Sequence, residues 1–407
     1  MAPKNKAKVV PAAVKATPEA APEEKVTAGE KRKAEETPPQ EPAAKKEAKT
    51  EEELEKDSAE DKRPAQKVAC GFNSVDCTLN VVPTLAGKVL MGLNEGGMQY
   101  LIAGARANVG IKAGRYMYEV KIIEALNPTE ASQARSKVPA ARQLVRIGFS
   151  TAGSPLVLGD ADTGVYFDSD GGFAVGRQRT GGASQRFSRD QSMAVLLNLD
   201  ASSPNANTVS LFRDGKRVSK PQPLPESLHG KALFPHIAFR SVSLQVNMGS
   251  LPLKALPFSC RMIQGAATAD AVVAEAAAPK DGKYEVLVPV AFPDEGTFHW
   301  LDEFLEKNPS YVELSDRKLQ DWAASSGLPK QRGGTNDKPL FGYGLPSMDD
   351  MSLRATINAV APIMPRNYVV MEVKSNLIAA ERSTLLKRFS KAHFRKVAHV
   401  VMGEPSE

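Results

Sequence analysis

A train of short apolar runs between residues 68 and 258 constrains this chain more than any other feature. LNVVPTL, RYMYEVKII, LVRIGFS, MAVLLNL, NTVSLFR, LFPHIAF and VSLQVNMG follow one another, mostly alternating in polarity or rich in β-branched residues. Gly, Pro, Asp or Asn stands between them, and no segment of helical period interrupts the series. Alternation puts one apolar face on each strand, and a sheet with one apolar face must bury it against another layer. The expected architecture is an antiparallel β-sandwich. Within FRDGKRV, Asp214-Gly215 separates two apolar-leaning runs. Only Gly, Asn and Asp readily tolerate the positive φ of a type I′ turn, so a two-residue hairpin is expected there.

The 407-residue length suggests two or three domains. Residues 1–67 contain no aromatic residue, eight prolines, and fifteen basic against fifteen acidic residues. They offer little apolar surface to offset an ordering cost of roughly 1–2 kcal/mol per residue. A disordered charged arm is the expectation over 1–67. Within it, Lys31, Arg32, Lys33, Lys45 and Lys46 form two basic clusters spaced like a bipartite nuclear-import signal, so a nuclear location and an import carrier as partner are expected. Thr37, before Pro38, and Ser58 are accessible sites for modification. There is no run of about 18 apolar residues, which argues against a helical membrane span. The N-terminus lacks the apolar core of a secretory signal. Cys70, Cys77 and Cys260 have no metal-ligand spacing and suit buried thiols in a reducing compartment; no metal is expected.

After the sandwich, an Ala-rich linker is expected over 263–282 and a smaller α/β domain over 283–403. YEVLVPV reads as a buried strand, and Phe298, Leu301, Phe304 and Leu305 follow at helical spacing. Strand, turn and helix are the setting of a phosphate-binding loop. A working loop uses two glycines to wrap backbone N–H groups around phosphate, a lysine to neutralise it and a hydroxyl to hold magnesium. Here the matching positions are Ala291, Gly296, Thr297 and Phe298, with Pro293 between. The cation and the metal ligand are both replaced, so neither catalysis nor a cofactor is expected.

Charge is concentrated near the end. Residues 374–396 hold seven basic residues against Glu381, a surplus equal to the +6 of the whole chain. NLIAAERSTLLKRFSKAHFRK is expected to form a helix followed by a turn, with Leu377, Ile378, Leu385 and Phe389 on the helix's apolar face. Lys387, Arg388, Lys391, Arg395 and Lys396 are candidates for phosphate contact, and His393 and Phe394 for stacking on a base. A helix packed on the sheet with its charges in water satisfies the same pattern.

Several motifs together resemble a known family. GARANVGIKAGRYMYEVKI, VRIGFSTAGSPLVLGD, GVYFDSDGGFAVG, VSLFRDGKRV and LFPHIAFRSVSLQVNMG run in the order seen in SPRY domains, over 68–262. The whole chain resembles the heterogeneous nuclear ribonucleoprotein U-like family, in which a P-loop kinase-like α/β domain follows the SPRY domain. That family's loop has the form V-G-L-P-G-x-G-K-T-x-W. Val290, Phe292, Pro293, Gly296 and Trp300 keep its frame, while PRNYVVMEV carries Met371 where an acidic residue would stand, with Glu372 beside it. The resemblance implies a SPRY sandwich that grips protein partners through loops, with Arg106, Tyr166, Asp168, Arg177 and Arg179 as candidate contacts; Tyr166 suits a core equally well. The family's SAP module and Gly/Arg-rich tail have no counterpart in this sequence, so RNA binding does not carry over from resemblance alone. The implied function is a non-enzymatic nuclear RNA-associated adaptor in RNA processing or ribonucleoprotein assembly. The alternatives are a protein-only scaffold of a chromatin-modifying complex and an active nucleotide or polynucleotide kinase.

Overall fold

The computed structural model describes residues 53–58, 60–126, 141–274, 278–291, 297–329, 341, 343, 345 and 348–401. The import candidates Lys31, Arg32, Lys33, Lys45 and Lys46 lie outside them, as do Pro293 and Gly296 and the side chain of Thr297.

Each apolar run listed above forms a strand. In spatial order one sheet comprises Phe72–Cys77, Ala103–Ala107, Phe234–Arg240, Leu144–Ser150, Gly164–Asp168, Phe173–Val175 and Gln178–Thr180. The facing sheet runs Lys216–Arg217, Thr208–Arg213, Ser192–Leu199, Gly114–Ala125, Val242–Asn247, Val89–Gly92 and Val81–Thr84. These neighbours pair antiparallel throughout. Alternate residues meet between the sheets: Tyr118, Val120, Val195 and Leu244 from one, Ile147, Phe149, Phe167 and Ile237 from the other. Each such side chain contributes roughly 1.5–3 kcal/mol on leaving water. The hairpin forms as expected: Phe212 pairs with Arg217, and Asp214 and Gly215 both take positive φ (50° and 82°).

Two boundaries differ from the sequence reading. Residues 53–58 and 60–66, expected to be disordered, lie against the sandwich as an irregular strap held by polar contacts rather than apolar burial: Glu53 pairs with Arg217, Glu55 with Arg115 and Asp61 with Arg261. The first half of the expected linker is also packed. Ala266 and Ala267 are fully buried, and Ala271–Val273 pairs with Val109–Ile111. Small side chains here permit close approach of the backbone; the Ala267 amide donates to the Tyr116 hydroxyl.

The C-terminal part is an α/β module. Its strands are β1 (Tyr284–Leu287), β2 (Tyr311–Ser315), β3 (Asn367–Met371) and β4 (Phe394–Val397), all parallel, in spatial order β2-β3-β1-β4. Helix α1 (Thr297–Lys307) covers one face through Phe298 and Leu301 on Leu287, Val369 and Met371. Helices α2 (Asp316–Ser325), α3 (Asp350–Val360) and α5 (Ala379–Arg388) cover the other, with Leu319, Leu353, Ile357 and Leu385 packed on Val286, Tyr368 and Val370. The same apolar cluster takes in Leu79, Met98, Tyr100 and Leu101 of the sandwich, so the two modules share a core.

The expected long C-terminal helix is broken. Between α4 (Val373–Leu377) and α5, Ile378 is extended (φ −88°, ψ 112°). Asn376 is fully buried and donates to the Val370 carbonyl, anchoring the turn to β3. Leu377 and Ile378 are therefore exposed (53% and 42%); of the expected apolar face, Leu385 and Phe389 pack inward.

Candidate functional site

Three surfaces follow from this arrangement: a cleft between the modules, a basic groove on the α/β module, and the carboxyl edge of its parallel sheet.

The cleft, about 650 Å³, has one wall from the sandwich loop 153–160 and the other from β2 and α2. The modules are tied together beside it. The Trp322 indole N–H donates to the Ile102 carbonyl (2.8 Å), and the Ile102 amide donates to Ser326 Oγ (2.9 Å). The Ser325 hydroxyl donates to Asp160 (2.8 Å), which also pairs with Arg177 (3.2 Å). Fully buried Arg366, next to β3, donates to the Cys77 carbonyl (2.6 Å) and to the Tyr368 hydroxyl (2.8 Å). Leu156, Val157, Val312 and Trp322 give the cleft apolar patches, among which stand the charges of Asp160, Glu313, Asp321, Lys318 and Arg177, Arg177 with a side chain 77% exposed. Apolar walls with a few placed charges are the usual composition of a ligand cleft.

The sandwich wall is set by a buried polar chain. Arg106 lies fully buried on an interior strand. Its Nε–H donates to Ser150 Oγ (3.0 Å), and another N–H donates to the Ser154 carbonyl. The Ser150 hydroxyl donates to His236 Nδ1 (2.8 Å), and His236 Nε2–H donates to the Leu156 carbonyl (3.0 Å). Burial first, and then the Arg106 charge, push the His236 imidazole down to about 3. Two loop carbonyls are thereby held by side chains that cannot reach solvent.

Of the five expected contact residues, then, Arg106 is corrected to an internal support: all five residues of its strand are buried because strands pair on both sides. Tyr166 is likewise buried, packed with Ile102, Val157 and Ala238 under the Arg146 guanidinium (5.1 Å from the ring centre). Asp168 is buried too. Burial alone would raise its carboxyl, but the Arg179 guanidinium and the Gly172 amide outweigh this and hold it below its ordinary range. Arg177 and half-exposed Arg179 remain at the surface. Asp160, Lys318 and Trp322 were not foreseen, because they converge on the cleft only once the two modules dock.

The groove, about 360 Å³, is lined by Arg382, Ser383, Leu386 and Lys387 of α5 and by Lys396 of β4. It brings together Lys387 and Lys396 of the expected phosphate-binding set and adds Arg382. Arg388 ends α5 and Lys391 follows in the turn after it; neither is among the residues lining the groove. Arg395 points elsewhere and pairs with Asp281 and Glu285. Phe394 is corrected: it is buried against Tyr368 and Phe389, and the His393 ring packs on it, so neither Phe394 face is open to a base.

At the carboxyl edge of the parallel sheet, Ala291 bridges to Val401. Phe298 and Met371, which the sequence reading set at the hydroxyl and acidic positions of a phosphate site, lie in one apolar cluster with Leu287, Leu301 and Val369. The Arg317 guanidinium stacks on the Phe298 ring (4.8 Å) and pairs with Glu313 and Asp302. Glu372 stands 3.8 Å from Arg354, which also pairs with Asp316 and Asp350. These residues do not fit a magnesium nucleotide: an aromatic ring and a thioether offer no hard oxygen ligand, and the nearby carboxylates already share an arginine. Burial pushes the thiols of Cys70, Cys77 and Cys260 up to about 12, so all three stay protonated.

Among the described residues no helix is long and apolar enough to cross a membrane. No family model matches the chain. It is similar to Heterogeneous nuclear ribonucleoprotein U-like protein 2 of Mus musculus, 25% identical over 324 residues, with 75% of this chain and 39% of that protein covered. The chain thus spans well under half the length of the curated relative it matches. Among solved structures it is similar to the SPRY domain of human HERC1 (14% identical, TM-score 0.31, covering 44% of this chain and 97% of that one), a human SPRY domain (14%, 0.28, 45% and 99%) and the TRIM65 PSpry domain (13%, 0.29, 44% and 88%).

Proposed function

We propose that this chain is a non-enzymatic nuclear adaptor that grips a protein partner in the cleft between its two modules and touches RNA through the basic groove. The observation that carries this reading is the pairing of Phe298 with Met371. Apolar packing stands where phosphoryl transfer requires a metal-binding hydroxyl and carboxylate, and losing one preorganised electrostatic group typically costs roughly 3–4 kcal/mol of transition-state stabilisation. The module is then of use for its surfaces: α2 as a cleft wall and the α5–β4 groove as a cationic track. The similarity to a ribonucleoprotein U-like protein supports RNA as the anionic partner and the nucleus as its place.

A protein-only scaffold is the second reading, supported by the engagement of Arg395 and Phe394 inside the module. Affinity purification of the full chain with and without nuclease separates the two. Partners that vanish with nuclease support the RNA adaptor, and partners that persist support the scaffold. Filter binding to mixed-sequence RNA across a salt series tests the groove directly. Binding that weakens steeply with salt and is lost in Arg382→Glu/Lys387→Glu/Lys396→Glu supports it; unchanged binding by that variant refutes it. Calorimetric binding of ATP with magnesium would overturn the non-enzymatic reading.

A further inference from the structure

The strap over residues 53–66 rests on an arrangement the adaptor reading does not use. Three sandwich arginines each stack on an aromatic ring and each meet a strap carboxylate. Arg217 lies over Phe212 (4.6 Å) and pairs with Glu53, Arg115 lies over Phe258 (5.1 Å) and pairs with Glu55, and Arg261 lies over Tyr116 (5.0 Å) and pairs with Asp61. Stacking holds each guanidinium flat with its N–H edge toward the strap. The strap buries little else: Leu54 is exposed and Glu55 is its buried carboxylate.

Ser58 sits at the centre. Arg115 donates from Nη2 to Ser58 Oγ (2.7 Å), while its Nη1 holds Glu55 (2.8 Å). The Arg115 side chain is nine-tenths buried, yet its Nε–H has no hydrogen-bond partner. A cleft of about 660 Å³ opens beside these groups, lined by Ser58, Arg115, Pro204 and Arg261. Downstream, Glu60 and Asp61 continue the acidic run, and Glu60 is exposed.

We propose that Ser58 is a phosphorylation site whose phosphate clamps the strap to Arg115. The modifying enzyme is a serine kinase that selects hydroxyls followed by acidic residues, with ATP as donor. The Ser58 oxygen forms a bond to the γ-phosphorus, the bond from that phosphorus to the ADP oxygen breaks, and the hydroxyl proton leaves to the kinase's base. The product carries nearly two negative charges and three acceptor oxygens next to a buried cation with a spare donor. Most carboxylates lining the cleft are already engaged: Glu55 by Arg115 Nη1, Asp57 by the Ser259 amide, Asp61 by Arg63 and Arg261, Asp200 by Ser202 and Asp270 by Arg63, while Glu60 is exposed. Phosphorylation thus tightens a contact that is otherwise held by these ion pairs and by a few hydrogen bonds, such as that from the Ser58 amide to the Ser259 carbonyl (3.1 Å).

The test treats the full chain with an acid-directed serine kinase and ATP, locates the phosphate by mass spectrometry, and measures hydrogen exchange over residues 53–66. Phosphate on Ser58, absent from Ser58→Ala, with amide exchange in the strap slowed about tenfold, is the expected result; one charge-assisted hydrogen bond is worth that factor. Arg115→Lys, which keeps the charge and loses the extra donors, should be phosphorylated equally but protected less. No phosphate on Ser58, faster strap exchange after phosphorylation, or equal protection in Arg115→Lys would overturn the proposal.

Discussion

Replacing His236 by glutamine separates a proton-excluding role from simple packing. In the folded chain the imidazole is fully buried, donates to Leu156, accepts from Ser150 and lies near Arg106, and its pKa is pushed down to about 3 from an ordinary 6.5. A base whose folded pKa is lowered stabilises the fold fully above its unfolded pKa, and that stability drains away as pH falls from 6.5 toward 3. At pH 4.5, still above the folded value, the unfolded chain has gained a proton that the folded chain refuses. Two pH units at 1.36 kcal/mol each amount to about 2.7 kcal/mol lost. Glutamine keeps a donor for the Leu156 carbonyl and loses the Ser150 contact, which costs about 1–3 kcal/mol at pH 7.5. It does not titrate. Urea unfolding of both proteins, followed by circular dichroism at pH 7.5 and 4.5, reads the difference, and carboxylates common to both cancel. The variant should be less stable at pH 7.5 and equal or superior at pH 4.5. A deficit of the same size at both pH values would refute the claim that His236 is held neutral.

Other outcomes follow from the same geometry. Gly215→Ala should lower stability by about 1–2 kcal/mol in thermal unfolding, because its φ is +82° and an added Cβ would run into the Ala255 carbonyl oxygen. Trp322→Ala removes both the bond to Ile102 and packing shared by the modules, at a cost of about 3 kcal/mol; hydrogen exchange should rise on both cleft walls, at 153–160 and along α2, whereas a rise confined to α2 would show that the modules dock independently of this residue. Met371→Asp alone places a carboxylate among Leu287, Phe298 and Val369, and should cost about 3 kcal/mol or more. Adding Phe298→Ser should recover part of that loss by admitting a hydrogen-bond donor, and a strictly additive double-mutant cycle would mean the two side chains are uncoupled.

The sandwich was legible because its signal is local. Alternation over seven residues in LVRIGFS or MAVLLNL, and the positive-φ pair Asp214-Gly215, depend on neighbours in the chain alone. The strap was not legible for the opposite reason. Its composition excludes an apolar core, and what orders it is partners far away in sequence for Glu53, Glu55 and Asp61, such as Arg217 for Glu53. A charge count cannot distinguish paired acids from solvated ones. The break at Ile378 was hidden because helical spacing of apolar residues ignores what Asn376 does: it is drawn inward by the Val370 carbonyl and turns the chain before α5 begins. Arg106 and Asp168 misled for a related reason, while Tyr166 took the core position its sequence also allowed. Arginine and aspartate are usually read as surface residues, but here each is satisfied internally, by Ser150 and Ser154, and by Arg179.

The apolar cluster shared by sandwich and α/β module gives the module a structural role of its own. Its sheet presents two apolar faces. Helix α1 covers one, and α2, α3 and α5 cover the other only in part, leaving contact with Leu79, Met98, Tyr100 and Leu101 to complete the layer. Removing the module would expose those sandwich residues, and removing the sandwich would expose the module. Each therefore has a packing role independent of chemistry at the carboxyl edge, so substitution of Phe298 and Met371 leaves the shared core untouched. The loop 153–160 is fixed from beneath by Arg106 and His236 and from the side by the Ser325–Asp160 bond. A partner entering the cleft meets walls ordered before it arrives, which lowers the entropy lost on binding.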